Sequence, residues 1–282
     1  MNAHFFDLAT LIESNSKVWI VSKTKPSIPL VKISIDEFNL IRKGVYTKYN
    51  QKIRIGNSDY WFSQLISDEL KIKCVKTNTN ITDLSFSMQE FMNPEIIEKI
   101  DFTIHKDTLI NLKNSDDDIY IICSKNTKRN YEPIIKKLEE YLNSIGLFVK
   151  NYYFISETFF NRDEDDICHK KVRLLLQHLV GIKTDDDKFT NEQITKYQTI
   201  NFYDDSFSSI EMAKNINDTL TFILSNSEKE ITESVKTYLK DNYIQLLVNL
   251  VTFNRVNKFV TVPVKLSTQN IIKTFESFRF RN

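Results

Sequence analysis

Two apolar runs, about 80 residues apart, each end on polar side chains, and they constrain the fold of this chain more than any other feature. Residues 118–124 read Asp-Ile-Tyr-Ile-Ile-Cys-Ser, and residues 199–205 read Thr-Ile-Asn-Phe-Tyr-Asp-Asp. Short apolar runs are typical of buried parallel strands, whose carboxyl ends meet at one edge of the sheet. A hydroxyl group and two carboxylates at that edge indicate a site for a phosphate group and a divalent cation.

The bulk composition argues against several classes of protein. The formal net charge is +1, so no overall field favours nucleic acid or an anionic membrane. No stretch approaches the roughly 18 consecutive apolar residues of a membrane span, and we expect no signal peptide. Four glycines are too few for a Gly-rich phosphate loop. Cys74, Cys123 and Cys168 lack metal-ligand spacing, which favours reduced thiols and a cytoplasmic location.

From Asp116 onward, strand and helix patterns alternate along the chain. Apolar runs predict strands at 119–123, 152–156 and 200–203, and apolar periodicity predicts helices at 130–143, 167–179 and 208–224. This alternation predicts an α/β fold with a parallel sheet.

The flanking segments have mixed patterns. Before the alternation we predict a first strand and its exit at 4–11, strands at 17–21 and 30–33, a helix at 36–42, a hairpin at 52–62 and an interrupted helix at 87–97. After it we predict a helix at 228–239, strands at 243–252 and 258–266, and a helix at 268–278. The resulting division is a core at 1–25 and 114–225, a mixed α+β insertion at 26–113 and a C-terminal α+β extension at 226–282.

The order of these elements and of their polar ends resembles the haloacid dehalogenase-like (HAD) phosphohydrolase superfamily over roughly residues 4–21 and 115–224. Ser124 would correspond to the hydroxyl of the family's second motif, Lys170 or Lys171 to the helix-borne lysine of the third, and Asp204 with Asp205 to the paired acids of the fourth. The resemblance implies a Rossmann-like core, with the insertion where the family carries a cap. In that chemistry an aspartate attacks phosphorus, the hydroxyl and the lysine hold phosphoryl oxygens, and the acids hold magnesium.

The first motif departs from the family pattern. The segment His4-Phe5-Phe6-Asp7-Leu8-Ala9-Thr10-Leu11 resembles the strand that leads to Asp-x-Asp-x-Thr, but it is one residue short and has a single aspartate. With a one-residue gap, Asp7 is the nucleophile and Ala9 stands where the general acid is needed. Without a gap, Phe6 and Leu8 take those positions. Either way the general acid is absent, and such acid–base help is typically worth about 10²–10⁴-fold.

The resemblance therefore implies a catalytically degenerate HAD-like protein that acts through binding or assembly. It is similar to the HAD-like proteins of large tailed phages, which implies a virus-encoded protein in the host cytoplasm or the virion. The alternative is a magnesium-dependent phosphatase, for a phosphomonoester or a nucleic-acid end, with Asp7 as nucleophile and with Ser124, Lys170 or Lys171 as phosphate ligands. Asp7, Asp204 and Asp205 are the expected ligands of a weakly bound magnesium ion.

Each of these residues also has an ordinary structural interpretation. Ser124 is then a turn residue, Asp204 and Asp205 cap the following helix, and Lys170 and Lys171 form a solvated basic pair. Residues 274–281 alternate aromatic and basic side chains, which are compatible with a protein partner, with stacking on single-stranded nucleic acid or with packing on their own domain. We expect no membrane partner and, without an Arg-rich stripe elsewhere, no nucleic-acid partner.

Overall fold

The computed structural model describes residues 1–34, 37–38, 40–41, 50–55, 58–97, 99, 102–105, 109, 112, 116–124, 128–155, 164–185, 187–252 and 255–266. Over these residues the strands are β1 Asn2–Asp7, β2 Ile12–Ser14, β3 Val18–Ser22, β4 Lys25–Ile33, β5 Asn50–Ile55, β6 Ser58–Ser63, β7 Leu84–Ser87, β8 Phe102–Ile104, β9 Asp118–Cys123, β10 Val149–Phe154, β11 Ile182–Asp185, β12 Lys188–Gln193, β13 Thr199–Asp204, β14 Gln245–Thr252 and β15 Arg255–Pro263. The α-helices are α1 Gln64–Lys76, α2 Gln89–Met92, α3 Pro94–Ile97, α4 Lys128–Ser144, α5 Glu164–Val180, α6 Phe207–Lys214, α7 Ile216–Asn226 and α8 Lys229–Asp241. None of the described helices is long and apolar enough to cross a membrane.

The chain divides into two compact units. The core unit comprises residues 1–13, 104–128 and 137–282, and the insertion unit comprises residues 14–103 and 129–136. Each unit contains its own sheet, described in turn below.

The core unit is organised around a six-stranded sheet with the order β10-β9-β1-β13-β14-β15. The first five strands are parallel, and β15 pairs antiparallel with β14. Asp7 pairs in register with Ile122 of β9, and Phe6 pairs with Tyr203 of β13. The strands that end at Asp7, Ser124 and Asp204 therefore deliver their carboxyl ends to one edge, and the predicted α/β fold with a mostly parallel sheet is confirmed.

Apolar burial explains why the helices after β10 cover one face of this sheet. Phe5, Tyr120 and Phe202 are buried with the inward side chains of α5, which include Val172 and Leu175. The rings of Phe5 and Tyr120 stack with centroids 4.5 Å apart. Removing side chains of this kind from water contributes roughly 1.5–3 kcal/mol each, so this layer fixes α5 against the sheet.

The insertion unit has a three-stranded antiparallel sheet of order β4-β3-β7 and a β5–β6 hairpin. The hairpin predicted at 52–62 is confirmed as the pairing of β5 with β6, in which Ile55 pairs with Ser58; Gly56 and Asn57 lie outside the described residues. Ser34 and Glu37 form a reciprocal capping box. The Glu37 backbone N–H donates to Ser34 Oγ at 3.1 Å, and the Ser34 backbone N–H donates to Glu37 Oε2 at 2.9 Å.

Several elements differ from the sequence prediction. Strand β3 pairs inside the insertion unit, whereas the sequence places residues 1–25 in the core. Within the C-terminal α+β extension predicted at 226–282, strands β14 and β15 join the central sheet. Helix α1 and the β11–β12 hairpin were not predicted, and the predicted helix at 208–224 is two helices, α6 and α7. The predicted helix at 268–278 lies outside the described residues.

Two glycines with positive φ provide a test of the core unit. Gly181, after α5, has φ +81°, and Gly146, after α4, has φ +77°. A side chain in this region costs roughly 1–2 kcal/mol. A Cβ at Gly181 would also lie 2.8 Å from the Cβ of Lys196, whereas a Cβ at Gly146 would have no neighbour within 4 Å.

We therefore expect Gly181→Ala to lower the free energy of unfolding more than Gly146→Ala, whose cost should be about 1 kcal/mol. Urea unfolding followed by circular dichroism measures both losses. Equal losses in the two variants would contradict the close approach of this turn to Lys196.

Candidate functional site

Asp7 lies where β1 gives way to a 3₁₀ turn at the carboxyl edge of the central sheet. Its Oδ1 accepts a hydrogen bond from the Ala9 backbone N–H at 3.1 Å, and its backbone carbonyl accepts one from Thr10 Oγ1 at 2.7 Å. The segment Asp-Leu-Ala-Thr thus forms a capped turn at residues 8–10 that holds the carboxylate at the strand end. Asp7 is only 1% exposed.

Ser124 and Lys171 both contact the second oxygen of this carboxylate. Ser124, directly after β9, donates from Oγ to Asp7 Oδ2 at 2.6 Å, and Lys171 Nζ lies 2.7 Å from the same oxygen. Both side chains are buried. The two oxygens of Asp7 are therefore engaged by donors from the same chain.

Lys171 also joins Asp7 to the end of β13. Its Nζ lies 2.6 Å from Asp204 Oδ2 and 3.4 Å from Ser209 Oγ. Burial alone would lower the pKa of Lys171, but the charges of Asp7 and Asp204 outweigh it and raise that pKa above its ordinary value. The lysine therefore stays protonated and is the counter-ion of two buried carboxylates.

Asp204 is fully buried and belongs to the turn that starts α6. Its Oδ1 accepts from the Ser206 backbone N–H at 2.8 Å, and Ser206 is the N-cap of α6. Burial raises the pKa of Asp204 to about 6, with Lys171 opposing the shift and with Asp7 and Asp205 adding to it. Asp204 therefore pairs with Lys171 and accepts a hydrogen bond in the turn before α6. Ser206, and not Asp204, is the N-cap of that helix.

Lys170 and Asp205 are both exposed, unlike their neighbours in the cluster. Successive residues on a helix point about 100° apart, so only one of two adjacent lysines can face the sheet. The described contacts bring together Asp7, Ser124, Lys171 and Asp204. Asp205 acts on this group through its charge, by raising the pKa of Asp204.

Two further residues of this cluster were missed in the sequence. Ser209 Oγ lies 3.4 Å from Lys171 Nζ and 3.3 Å from Cys168 Sγ, and all three side chains are buried. Ser209 stands three residues after the cap Ser206, so the helix-start pattern is a signal that could have placed it near the sheet edge. Cys168 lies one turn before Lys171 on α5. All three cysteines are free and buried.

The contacts also bear on the expected magnesium ligands. Asp7 and Asp204 already share one cation, the ammonium group of Lys171. Within the described ranges, no three His, Cys, Asp or Glu side chains are grouped closely enough to hold a metal ion. Magnesium binding by Asp7, Asp204 and Asp205 stays a prediction.

A second polar cluster lies within the core unit at the opposite, amino-terminal edge of the sheet. Asp118 accepts from Lys150 Nζ at 2.7 Å and from the Tyr197 hydroxyl, and the Tyr197 and Tyr120 hydroxyls are 2.6 Å apart. Nearby, Tyr153 contacts His178 Nε2 at 2.7 Å, and burial lowers the pKa of His178 to about 4. These groups satisfy one another, which indicates a structural role.

Comparisons with protein-family models, with curated proteins and with solved structures found no match for this chain. Asp7, Ser124, Lys171 and Asp204 form what we call the sheet-edge cluster, and its interpretation therefore depends on its own contacts.

The first prediction from this site concerns its counter-ion. Lys171→Met leaves two buried carboxylates without their cation, and breaking a buried pair in this way typically costs about 3–5 kcal/mol. Lys170→Met is the matched control, because the neighbouring lysine is exposed, and it should cost less than about 1 kcal/mol. Chemical denaturation at pH 7 measures both variants. Similar small losses in both would show that Lys171 does not hold this edge together.

The second prediction concerns pH. Because the pKa of Asp204 is raised from 3.8 to about 6, the folded protein binds this proton more tightly than the unfolded chain does. The stabilisation is complete below about pH 4 and is lost as the pH rises through about 6, with a total of about 3 kcal/mol. Asp204→Asn cannot titrate, so the stability of wild type relative to this variant should fall between about pH 4 and pH 7. Unfolding curves that respond equally to pH would contradict this assignment.

Proposed function

We propose that the protein is a catalytically degenerate HAD-like protein that acts through binding or assembly and not through phosphate turnover. The proposal rests on the burial of Asp7 and on the hydrogen bonds that its carboxylate accepts. Its carboxylate is 1% exposed, and its two oxygens accept from Ala9, Ser124 and Lys171. A nucleophile must present an oxygen to phosphorus, and this carboxylate presents none outside the protein.

The strand order supports the HAD-like part of the proposal. The strand that carries Asp7 is central, the strand before Ser124 lies on one side, and the strand that carries Asp204 lies on the other. Lys171 comes from the helix that precedes this last strand along the chain. The contacts of Asp7 favour the gapped alignment, because Phe6 is a fully buried residue that stacks on Tyr203 at 4.3 Å.

The gapped alignment places Ala9 at the position of the general acid. Its methyl group has no proton to give to a leaving group, and its backbone N–H is used to hold Asp7. A missing acid lowers a rate by about 10²–10⁴-fold, and a buried, ion-paired nucleophile lowers it further. Both defects lie in the first motif. The residues matched to the other three motifs, Ser124, Lys171 and Asp204, are joined to one another through Asp7 and Lys171.

The second candidate function is a phosphatase that uses Asp7 as nucleophile. It is favoured by one observation, namely that Ser124 and Lys171 converge on a single oxygen of Asp7. Donors that converge in this way would also hold the oxygens of a phosphoryl group placed beside the carboxylate. This candidate requires the cluster to open, so that Asp7 exchanges an internal partner for the substrate.

Turnover of p-nitrophenyl phosphate at neutral pH with millimolar magnesium separates the two candidates. We expect wild type to show no rate above that of Asp7→Asn, the isosteric control that removes the nucleophile. Circular dichroism establishes that both proteins are folded. A robust wild-type rate that Asp7→Asn abolishes would replace the leading proposal with the phosphatase.

A further inference from the structure

Strand β4 of the insertion unit contains a bulge near its start. Val21 of β3 pairs with Pro29, and Ser22 pairs with Lys25, so one step along β3 corresponds to four residues of β4. Residues 26–28 are therefore not paired with β3, although their backbone stays extended. Strand β4 is also the outermost strand of its sheet, whose order is β4-β3-β7.

The bulge is exposed to solvent although it carries a large apolar side chain. Lys25, Pro26 and Ser27 are exposed, and Ile28 is 58% exposed. Burial resumes only at Leu30, which packs in the interior of the insertion unit. The bulge is therefore accessible to another molecule and contributes little to the core of its own unit.

Two prolines restrict the backbone of this bulge. A proline ring fixes its own φ at about −65° and drives the residue before it into the extended or polyproline II region. Pro26 and Pro29 therefore restrict Lys25 and Ile28 as well as themselves. A segment that is held extended in this way loses little conformational entropy when it binds a partner.

The same prolines favour one mode of recognition over another. Proline has no backbone N–H, so Pro26 and Pro29 cannot donate hydrogen bonds to a strand that is added at this edge. In a polyproline II helix, which has three residues per turn, prolines spaced by three lie on the same side. The sequence Pro26-Ser27-Ile28-Pro29 therefore fits the aromatic groove with which SH3 domains bind Pro-x-x-P segments.

The charges next to the bulge indicate which groove is complementary. Lys23, in the turn before β4, and Lys25 are both exposed, and no ion pair among the described residues involves either of them. Asp83 is close and exposed, since its backbone carbonyl accepts from the Lys23 backbone N–H at 2.8 Å. Two lysines and one aspartate leave an excess of positive charge, which a groove with acidic side chains at one end complements.

We propose that residues 23–29 are a docking site for a protein with an SH3-type groove, lined by aromatic side chains and flanked by acidic ones. Pro26 and the Ile28-Pro29 pair contact the aromatic side chains, and the lysines face the acids. So short a segment buries much less than a standard interface, so the complex should be weak and short-lived. This inference goes beyond the proposed function and does not rest on it, because every residue in it belongs to the insertion unit.

Biolayer interferometry tests the proposal with the full chain immobilised. The probes are purified SH3 domains that select a basic residue before Pro-x-x-P, each at up to about 1 mM. We expect reversible binding by at least one domain, weakened at least about tenfold when Pro26→Ala and Pro29→Ala are combined. Pro263→Ala is the matched control, because Pro263 is also exposed in an outermost strand but has no second proline near it, and it should leave binding unchanged.

A charge reversal and a measurement of self-association complete the test. Lys23→Glu combined with Lys25→Glu should weaken the same complex roughly tenfold, with circular dichroism to establish folding. Failure of every domain to bind wild type, or binding that is insensitive to the loss of both prolines, would overturn the proposal. Sedimentation velocity of the double alanine variant identifies the alternative: new self-association, without any SH3 binding by wild type, would show that the prolines serve only to protect the sheet edge.

Discussion

The carboxyl edge of the central sheet depends on one ammonium group, that of Lys171, which two buried carboxylates share. Asp7 comes from the first strand, Asp204 from a strand about 200 residues later, and the lysine from the helix between them. Two buried carboxylates without a cation repel each other and lose their hydration, so they can lie together only because Lys171 lies between them. Lys171 and Ser124 both contact Oδ2 of Asp7, and the Ala9 backbone N–H contacts Oδ1.

The insertion unit holds its buried carboxylate in a different way. Glu90 accepts from the Lys17 backbone N–H, from Trp19 Nε1 and from Lys32 Nζ, at 2.7, 2.6 and 2.8 Å. Burial would raise its pKa, but these donors outweigh burial and lower it. Glu90 therefore has enough donors of its own to stay ionised, whereas Asp204 shares one cation with Asp7, and its pKa rises. The stabilisation from Asp204 is therefore lost as the pH rises, whereas that from Glu90 is lost as the pH falls.

The described polar clusters and the exposed apolar side chains belong to different parts of the chain. The sheet-edge cluster is closed, and its polar groups pair with one another. The outer face of α1 exposes three apolar side chains, Leu65, Ile72 and Val75.

The sequence by itself determined the central strands and the chemistry of their ends. Buried parallel strands such as β9 must be continuous apolar runs, and such a run can be recognised in the local sequence alone. Helix α1 escaped prediction because apolar residues on two sides remove the periodicity that marks a surface helix. Only the tertiary structure decided that β14 and β15 join the central sheet, that Lys171 and not Lys170 faces Asp7, and that Asp7 is closed off. These outcomes depend on contacts between residues far apart in the chain, such as the pairing of β14 with β13 and the ion pairs of Lys171.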